Sequence, residues 1–273
     1  LHKLSYDKYL VTGGAGFIGS HICEEIVKQG KEVVIIDNLV SGTTDNFEGW
    51  YDSRLCTFVN ASVTDNIERY FENVDVVFHN AASKCTVCRD NPKLDLEVNG
   101  WGTWNVFDCA RKNNVKKVIH ASTGSVYGNG EKTMEGVELK PHSFYGVSKL
   151  CGENYARAFK EYYPKFSYTI LRYFHVFGPR QNSSNKGGVI PIFIKNMING
   201  ETVTIYDDGE QERMFTYVKD VVNANFFFES SYIGGEQVFN VMSDTKVSIN
   251  DLHKYVYGIM KGKNIVNGNH MWV

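Results

Sequence analysis

Tyr9-Leu10-Val11-Thr12-Gly13-Gly14-Ala15-Gly16-Phe17-Ile18-Gly19 decides how this chain of 273 residues reads. Tyr9 to Thr12 is a short apolar run, and Phe17 to Lys28 has helical spacing with a charged face. Gly14, Gly16 and Gly19 fit a G-x-G-x-x-G spacing, while Gly13, Gly16 and Gly19 fit G-x-x-G-x-x-G. Either way a tight glycine turn joins a strand to a helix and lets a pyrophosphate approach backbone N–H groups at the helix N-terminus. A glycine-rich turn alone can also simply pack a helix on a sheet. Asp37 supplies the second half of the argument. It ends the buried-strand run Val33 to Asp37, 24 residues after Gly13, where a carboxylate can accept hydrogen bonds from ribose hydroxyls. The same charge repels a 2′-phosphate, and Asn38 beside it offers no cation, so the cofactor is expected to be NAD rather than NADP.

Outward from this unit, short apolar runs keep alternating with helical patterns. Leu55 to Val59, Val74 to His79 and Lys117 to Ser122 read as strands, and Val106 to Lys112 as helix. This alternation predicts βαβ units, hence an α/β fold with a Rossmann-type doubly wound parallel sheet covered by helices on both faces. After Arg172 the pattern changes. Gly178-Pro179, Asn182 to Asn185, Gly187-Gly188 and Asp207 to Gly209 mark loops and turns. Phe215 to Phe227 and Gln237 to Val241 read as elements that return to the first layer. The expected domains are residues 1–172 plus about 215–241, binding NAD, and about 173–214 plus 242–273, a smaller, discontinuous α/β substrate domain.

Composition narrows the function classes. Hydrophobic residues are 42%, charged residues 22% and the net charge is -2, which excludes a highly charged disordered chain. Such a balance provides no cationic field for a nucleic-acid backbone. No apolar run reaches the ~18 residues of a membrane helix, and Leu1 to Tyr9 lacks the apolar core of a signal peptide. Six cysteines spread through a chain of this kind read as reduced thiols of a cytoplasmic protein. Cys85 and Cys88 have redox or half-zinc spacing, but without a second Cys pair or a suitably spaced His they are read as small loop residues, and no metal is expected.

A catalytic group stands further along. Tyr145-Gly146-Val147-Ser148-Lys149 opens a helical stretch running past Phe159, and positions i and i+4 share a helix face. A phenol is a poor base at neutral pH, with a pKa near ~10. An adjacent ammonium and a nicotinamide cation favour the phenolate. On its own this spacing is an ordinary surface pair; with an upstream NAD fingerprint it becomes a candidate base. The strand ending at Ser122-Thr123-Gly124-Ser125 then places a hydroxyl, from Thr123 or Ser122, at the carboxyl edge of the sheet where ligands bind.

Together these residues resemble an extended short-chain dehydrogenase/reductase of the NAD-dependent epimerase/dehydratase family acting on nucleotide sugars. The similarity runs from about Lys8 to about Asp251. It includes Thr12 to Gly19, Asp37 to Leu39, His79 to Ala82, Asn99 with Gly102-Thr103, Ser122 to Gly128, Tyr145 to Lys149, Leu171 to Pro179 and Arg213 to Asp220. Within the family the pattern is most similar to that of UDP-glucose 4-epimerases.

The resemblance implies roles by position. Gly13, Gly16, Phe17, Ile18 and Gly19 would hold the pyrophosphate, with Asp37 and Asn38 on the adenosine side. Val63 would offer its backbone there, because Ser62 replaces the usual Asp. Ala81, Ala82 and Lys84 would line the cofactor, Asn99 support it, Ser122 border it and Tyr173 flank its nicotinamide region. Thr123, Tyr145 and Lys149 match the catalytic hydroxyl, base and lysine, and the latter two also touch the cofactor. The nucleotide sugar, expected to be a UDP-hexose, would meet Thr123, His175, Val189, Tyr206 and Arg213. His175 departs from the usual Asn, and His79 is read as structural.

Two departures bear on the reaction. Family dehydratases carry an Asp and a Glu directly after the Thr, and decarboxylases usually keep the Glu; here those places are Gly124 and Ser125. The expected activity is therefore 4-epimerisation in a homodimer. A dehydratase, a decarboxylase and a catalytically silent NAD-binding regulator are the alternatives. The chain stops at Val273 with the unusual tail Asn269 to Val273, so the second domain is expected to be truncated.

Overall fold

The structure, a computed structural model, describes residues 2–128, 134–184, 187–231, 238–263 and 265. Gln237, the expected start of the last returning strand, Asn185 and the tail Asn269 to Val273 lie outside them. The chain divides into two compact units. The first comprises the residues up to Tyr173 with Val218–Val241, and the second Phe174–Tyr217 with the residues from Met242.

The first unit runs β1 (Lys8–Thr12), α1 (Phe17–Lys28), β2 (Glu32–Asp37), β3 (Cys56–Asn60), β4 (Val76–His79), α2 (Cys85–Cys88), α3 (Pro92–Leu96), α4 (Gly102–Lys112), β5 (Lys117–Thr123), α5 (Phe144–Tyr162) and β6 (Tyr168–Tyr173). In the second unit follow β7 (Val176–Phe177), α6 (Val189–Asn199), β8 (Glu212–Arg213) and β9 (Thr216–Tyr217). The chain then gives α7 (Val218–Ser230) and β10 (Val238–Val241) to the first unit and β11 (Val247–Ser248) and α8 (Ile249–Gly262) to the second.

Seven strands form one parallel sheet in the order β10-β6-β5-β4-β1-β2-β3. This is the doubly wound α/β arrangement expected from the alternating pattern. Both faces are covered, so both sets of alternating side chains are apolar. Leu10, Val34, Ile36 and Val77 pack with Val106 and Phe107 of α4 and Ala156 and Phe159 of α5. On strand β4, Phe78 instead meets the Tyr9 ring at 5.9 Å and Phe226 of α7 at 5.8 Å. Complete burial of each such aliphatic side chain contributes about 1.5–3 kcal/mol.

The strand order reverses between β1 and β4, and the carboxyl ends there open the crevice in which doubly wound sheets bind ligands. In the second unit, Phe193 and Met197 of α6 pack with Ile249, Leu252 and Met260 of α8. The expected loop at Cys85 and Cys88 is a short helix instead: Cys88 N–H donates to the Lys84 carbonyl at 3.2 Å. The turn starts at Lys84, whose carbonyl accepts from both Val87 N–H and Cys88 N–H, a local closure that small loop residues permit. Among the described residues no helix is long and apolar enough to cross a membrane.

Candidate active site

The glycine loop is built as its residues require. Gly13 has φ +69°, which disfavours a side chain, and its N–H donates to the Ile36 carbonyl at 2.8 Å. A Cβ on Gly13 would stand 2.8 Å from the Ala81 nitrogen, and one on Gly19 would run into the Gly13 carbonyl. These contacts bring α1, the end of β1 and the loop after β4 together. Helix α1 starts at Gly16 with no side-chain cap and no acidic residue in its first turn. Phe17, Ile18 and Gly19 therefore form a helix N-terminus suited to an anion.

Asp37, at the end of β2, is buried. Its Oδ2 accepts from Ala15 N–H at 3.0 Å and its Oδ1 from Leu39 N–H at 2.8 Å. Burial raises its pKa and these two bonds oppose the rise. One carboxylate thus ties the β2 end to the glycine loop and keeps spare lone pairs for further donors. Asn38 is exposed and closes a local turn through Val40 N–H at 3.3 Å. Val63 is buried, and its carbonyl accepts from Asn105 Nδ2 at 2.7 Å, leaving its N–H as the group to offer.

Around β4, Ala81 N–H donates to Thr12 Oγ1 at 3.2 Å. Ala82 and Lys84 are partly buried, and loss of hydration lowers the Lys84 pKa. His79 Nδ1 bonds Thr12 Oγ1 at 2.7 Å and its Nε2 bonds Thr103 Oγ1 at 3.0 Å. Its ring stacks on His120 at 5.1 Å. His79 is thus a packed core histidine in the sheet. Asn99 lies in a π-helical turn, Glu97–Trp101, and is fully buried. Its Oδ1 accepts from Ser83 N–H at 2.8 Å, while its Nδ2 donates to Asp95 Oδ1 at 2.9 Å and Ser148 Oγ at 3.1 Å. It joins the loop after β4 to α5.

Helix α5 presents the Tyr-Lys pair. Ser143 caps it by accepting from Gly146 N–H at 3.0 Å. A Cβ on Gly146 would stand 2.7 Å from the Ser125 carbonyl, so the start of α5 presses on the turn Gly124–Tyr127. That turn begins at Thr123, whose Oγ1 accepts from Ser125 N–H at 3.1 Å. Tyr145 is half-buried and Lys149 is 2% exposed. Burial pushes the Lys149 ammonium down to about 8, with the Glu153 and Asp95 carboxylates pulling the other way. The Lys149 charge and burial together hold His79 and His120 well below the usual histidine range. Lys149 is therefore the cation beside two neutral rings.

Two sequence-derived positions are engaged elsewhere. The Ser122 hydroxyl donates to the buried Glu153 Oε1 at 2.6 Å, whereas the Thr123 hydroxyl donates only locally, to Ser125 Oγ at 3.2 Å. The Tyr173 hydroxyl is bound by Asn225 Nδ2 at 2.8 Å and its backbone lies between the paired strands β5 and β10, so only its ring edge is left to border a cofactor. Sequence reasoning missed Glu153, although its spacing of four from Lys149 was readable, and missed Arg172 as its partner.

In the second unit, His175 adopts φ +35° and its ring lies 5.8 Å from that of Phe215. Loss of hydration and the nearby Arg213 guanidinium lower its pKa. Arg213 is exposed on β8, donating to the Glu212 carbonyl at 2.8 Å. Val189 opens α6 after Gly188, again with no side-chain cap and no acidic first-turn residue. Tyr206 is exposed, and its carbonyl accepts from Gln211 Nε2 at 3.2 Å. The unit thus carries a guanidinium and a helix N-terminus, both of which favour anions, and a neutral imidazole that can donate one hydrogen bond.

Comparison with known proteins agrees with this architecture. The NAD dependent epimerase/dehydratase family matches residues 9–241. A putative UDP-glucose 4-epimerase of Methanocaldococcus jannaschii is 37% identical over 250 residues, covering 89% of this chain and 79% of that protein. A UDP-N-acetyl-alpha-D-glucosaminuronate decarboxylase of Bacillus cytotoxicus is 34% identical over 264 residues, or 92% and 81% of the two chains. Among solved structures, the UDP-glucose 4-epimerase of Thermotoga maritima with UDP-glucose aligns with a TM-score of 0.88 at 34% identity, covering 97% of this chain and 85% of that one.

Proposed function

The chain belongs to the NAD-dependent epimerase/dehydratase family, and from that premise we propose that it is a nucleotide-sugar 4-epimerase that uses NAD on a UDP-hexose. The observation that carries this reading is the strand-end sequence Thr123-Gly124-Ser125 facing the start of α5. These two elements carry a hydroxyl at Thr123, a phenol at Tyr145 and a buried ammonium at Lys149, and neither residue after Thr123 exchanges protons near neutral pH. Elimination or decarboxylation needs further acid–base groups, each worth roughly 10²-fold. Epimerisation needs one group that hands a proton out and back.

The glycine loop, the uncapped N-terminus of α1 and the Asp37 carboxylate fit a dinucleotide: the first two its pyrophosphate, the third its adenosine ribose. When bound, NAD supplies a reversible hydride acceptor for the sugar C4. Tyr145, as phenolate, takes the proton of the 4-hydroxyl, while Thr123 hydrogen-bonds the same oxygen. Lys149 stabilises the phenolate charge; with a pKa of about 8 it is mostly protonated at pH 7. The 4-keto sugar turns over, and Tyr145 returns the proton as the 4-hydroxyl re-forms with inverted configuration. Arg213 provides charge and hydrogen bonds for the diphosphate, His175 a hydrogen bond from its neutral ring, and Val189 the backbone N–H at the start of α6. Tyr206 stacks beside the base.

The identity to the Bacillus cytotoxicus decarboxylase keeps a lyase as the second reading. Incubation with a panel of nucleotide sugars, followed by NMR, separates the two. The expected product is the C4 epimer with no loss of water or carbon dioxide. A 4-keto-6-deoxy sugar, or a pentose from a uronic acid, assigns the chain to the lyases instead. We extend the proposal to a homodimer in the cytoplasm. The exposed apolar side chains Leu96, Trp101, Phe144 and Val147 support the first, and the absence of a disulfide at Cys56, Cys109 and Cys151 supports the second.

A further inference from the structure

Glu153 is completely buried on α5, four residues beyond Lys149 and eight beyond Tyr145, so the three share one helix face. Its Oε1 accepts from Ser122 Oγ at 2.6 Å and Arg172 Nε at 2.9 Å, and its Oε2 from Arg172 Nη2 at 2.6 Å. Arg172, on β6, is 2% exposed and also donates from Nη1 to Tyr127 Oη at 2.8 Å. Tyr127 Oη in turn donates to Asn240 Oδ1 on β10 at 2.8 Å. Arg157 Nη2 also stands 3.6 Å from Glu153 Oε2, and a bidentate, hydrogen-bonded pair is the arrangement in which buried charges are tolerated.

The network holds both ends of one short segment. Ser122 directly precedes Thr123, and Tyr127 ends the turn Gly124–Tyr127 that Thr123 caps. Thr123 is thus pinned between two residues that answer to one ion pair, and the acidic member of that pair belongs to the helix carrying the base. We propose that Glu153, acting through Ser122 and Arg172, is a positioning residue that sets the register between the Thr123 hydroxyl and the Tyr145–Lys149 face. Its carboxylate also supports the neighbouring Lys149 ammonium, which no apolar core residue at 153 would do. The inference rests on the reaction proposed above.

Glu153→Gln strands the Arg172 charge and risks the fold, so the test begins at the two struts. Ser122→Ala and Tyr127→Phe each remove one hydroxyl and leave the ion pair intact. Both variants are expected to fold and to bind NAD within about two-fold of wild type by calorimetry. The expected kcat falls about ten-fold at unchanged KM for the nucleotide sugar, and Ser122→Thr, which restores a hydroxyl, is expected to recover at least half of it. A purely structural strut would leave kcat alone or lower it together with folding. Hydrogen exchange supplies a readout independent of turnover: the Ser125 and Gly128 amides are expected to exchange about ten-fold faster in Ser122→Ala. Wild-type kcat in both variants overturns the inference. If the wild-type chain turns over no nucleotide sugar, the proposed reaction fails, and unchanged exchange at Ser125 then overturns the positioning role as well.

Discussion

At the scale of single residues, the proposed site turns on the charge of Asp37 and the burial of Lys149. Asp37 spends one lone pair on Ala15 N–H and one on Leu39 N–H, so its carboxylate is held in place at the end of β2, and in the proposed site it opposes a 2′-phosphate. NADP is expected to bind at least about ten-fold more weakly than NAD, about 1.4 kcal/mol, by calorimetry; equal affinity would defeat the assignment. Tyr145→Phe is expected to fold, keep NAD and lose about 10²–10⁴-fold in kcat. Lys149 carries a stability cost in exchange for its role. Its folded value of about 8 lies below the ordinary 10.5, so the unfolded chain holds the extra proton between these values. Stability therefore rises with pH across that window, and the cost is fully present below it. Lys149→Met should then lose activity yet gain up to about 3 kcal/mol at pH 7 in urea titrations, with the gain shrinking toward pH 10. A variant less stable than wild type at pH 7 would show that partners of Lys149 outweigh its desolvation.

At the scale of elements, the site depends on how closely α5 approaches the strand ends. Gly146 and Gly152 are the points of contact: a Cβ on the first would meet the Ser125 carbonyl at 2.7 Å, and one on the second His120 Nε2 at 3.0 Å. Alanine ordinarily favours a helix over glycine by about 1 kcal/mol. At Gly146 the neighbour is backbone, which cannot step aside, so the helix start must move away from the Thr123 turn. Gly146→Ala is expected to destabilise by about 1–3 kcal/mol despite its better propensity and to lower kcat more than KM. A variant that melts higher and keeps full kcat would show that the contact does not set the site. The spacing of Tyr145 and Lys149 on this helix was legible from the sequence because helical period is local. The Ser122–Glu153–Arg172 network was not, because it joins β5, α5 and β6, and no pattern within one element specifies which buried acid meets which buried base.

At the scale of the molecule, the parallel sheet buries two histidines side by side on β4 and β5. Neither His120 nitrogen has a hydrogen-bond partner, and both rings are held well below the ordinary 6.5 by burial and by the Lys149 charge. The unfolded chain binds the extra protons as pH falls through about 6.5, so the stability these neutral rings permit is present above that value and lost below it. Urea midpoints are expected to fall between pH 7 and 5, with a slope approaching about 1.4 kcal/mol per pH unit for each histidine. His120→Leu, which removes a titrating ring and two unpartnered nitrogens, should roughly halve the slope. An unchanged slope would assign the acid sensitivity to other groups.

The sequence by itself determined the β1–turn–α1 unit, the carboxylate ending β2, the Tyr-Lys face of α5 and the α/β class. Each of these is a short-range pattern: glycines where no Cβ fits, apolar period in strands, period 3.6 in helices. Only the tertiary structure decided the strand order that brings β1 beside β4, the tie of the Ser122 hydroxyl to Glu153, and the engagement of Tyr173 with Asn225. It also decided that Cys85–Cys88 winds into a helical turn. The first three share a physical reason. Whether a polar group faces a ligand or a buried partner depends on which distant element arrives opposite it, and that is settled by packing across the sheet rather than by neighbours along the chain.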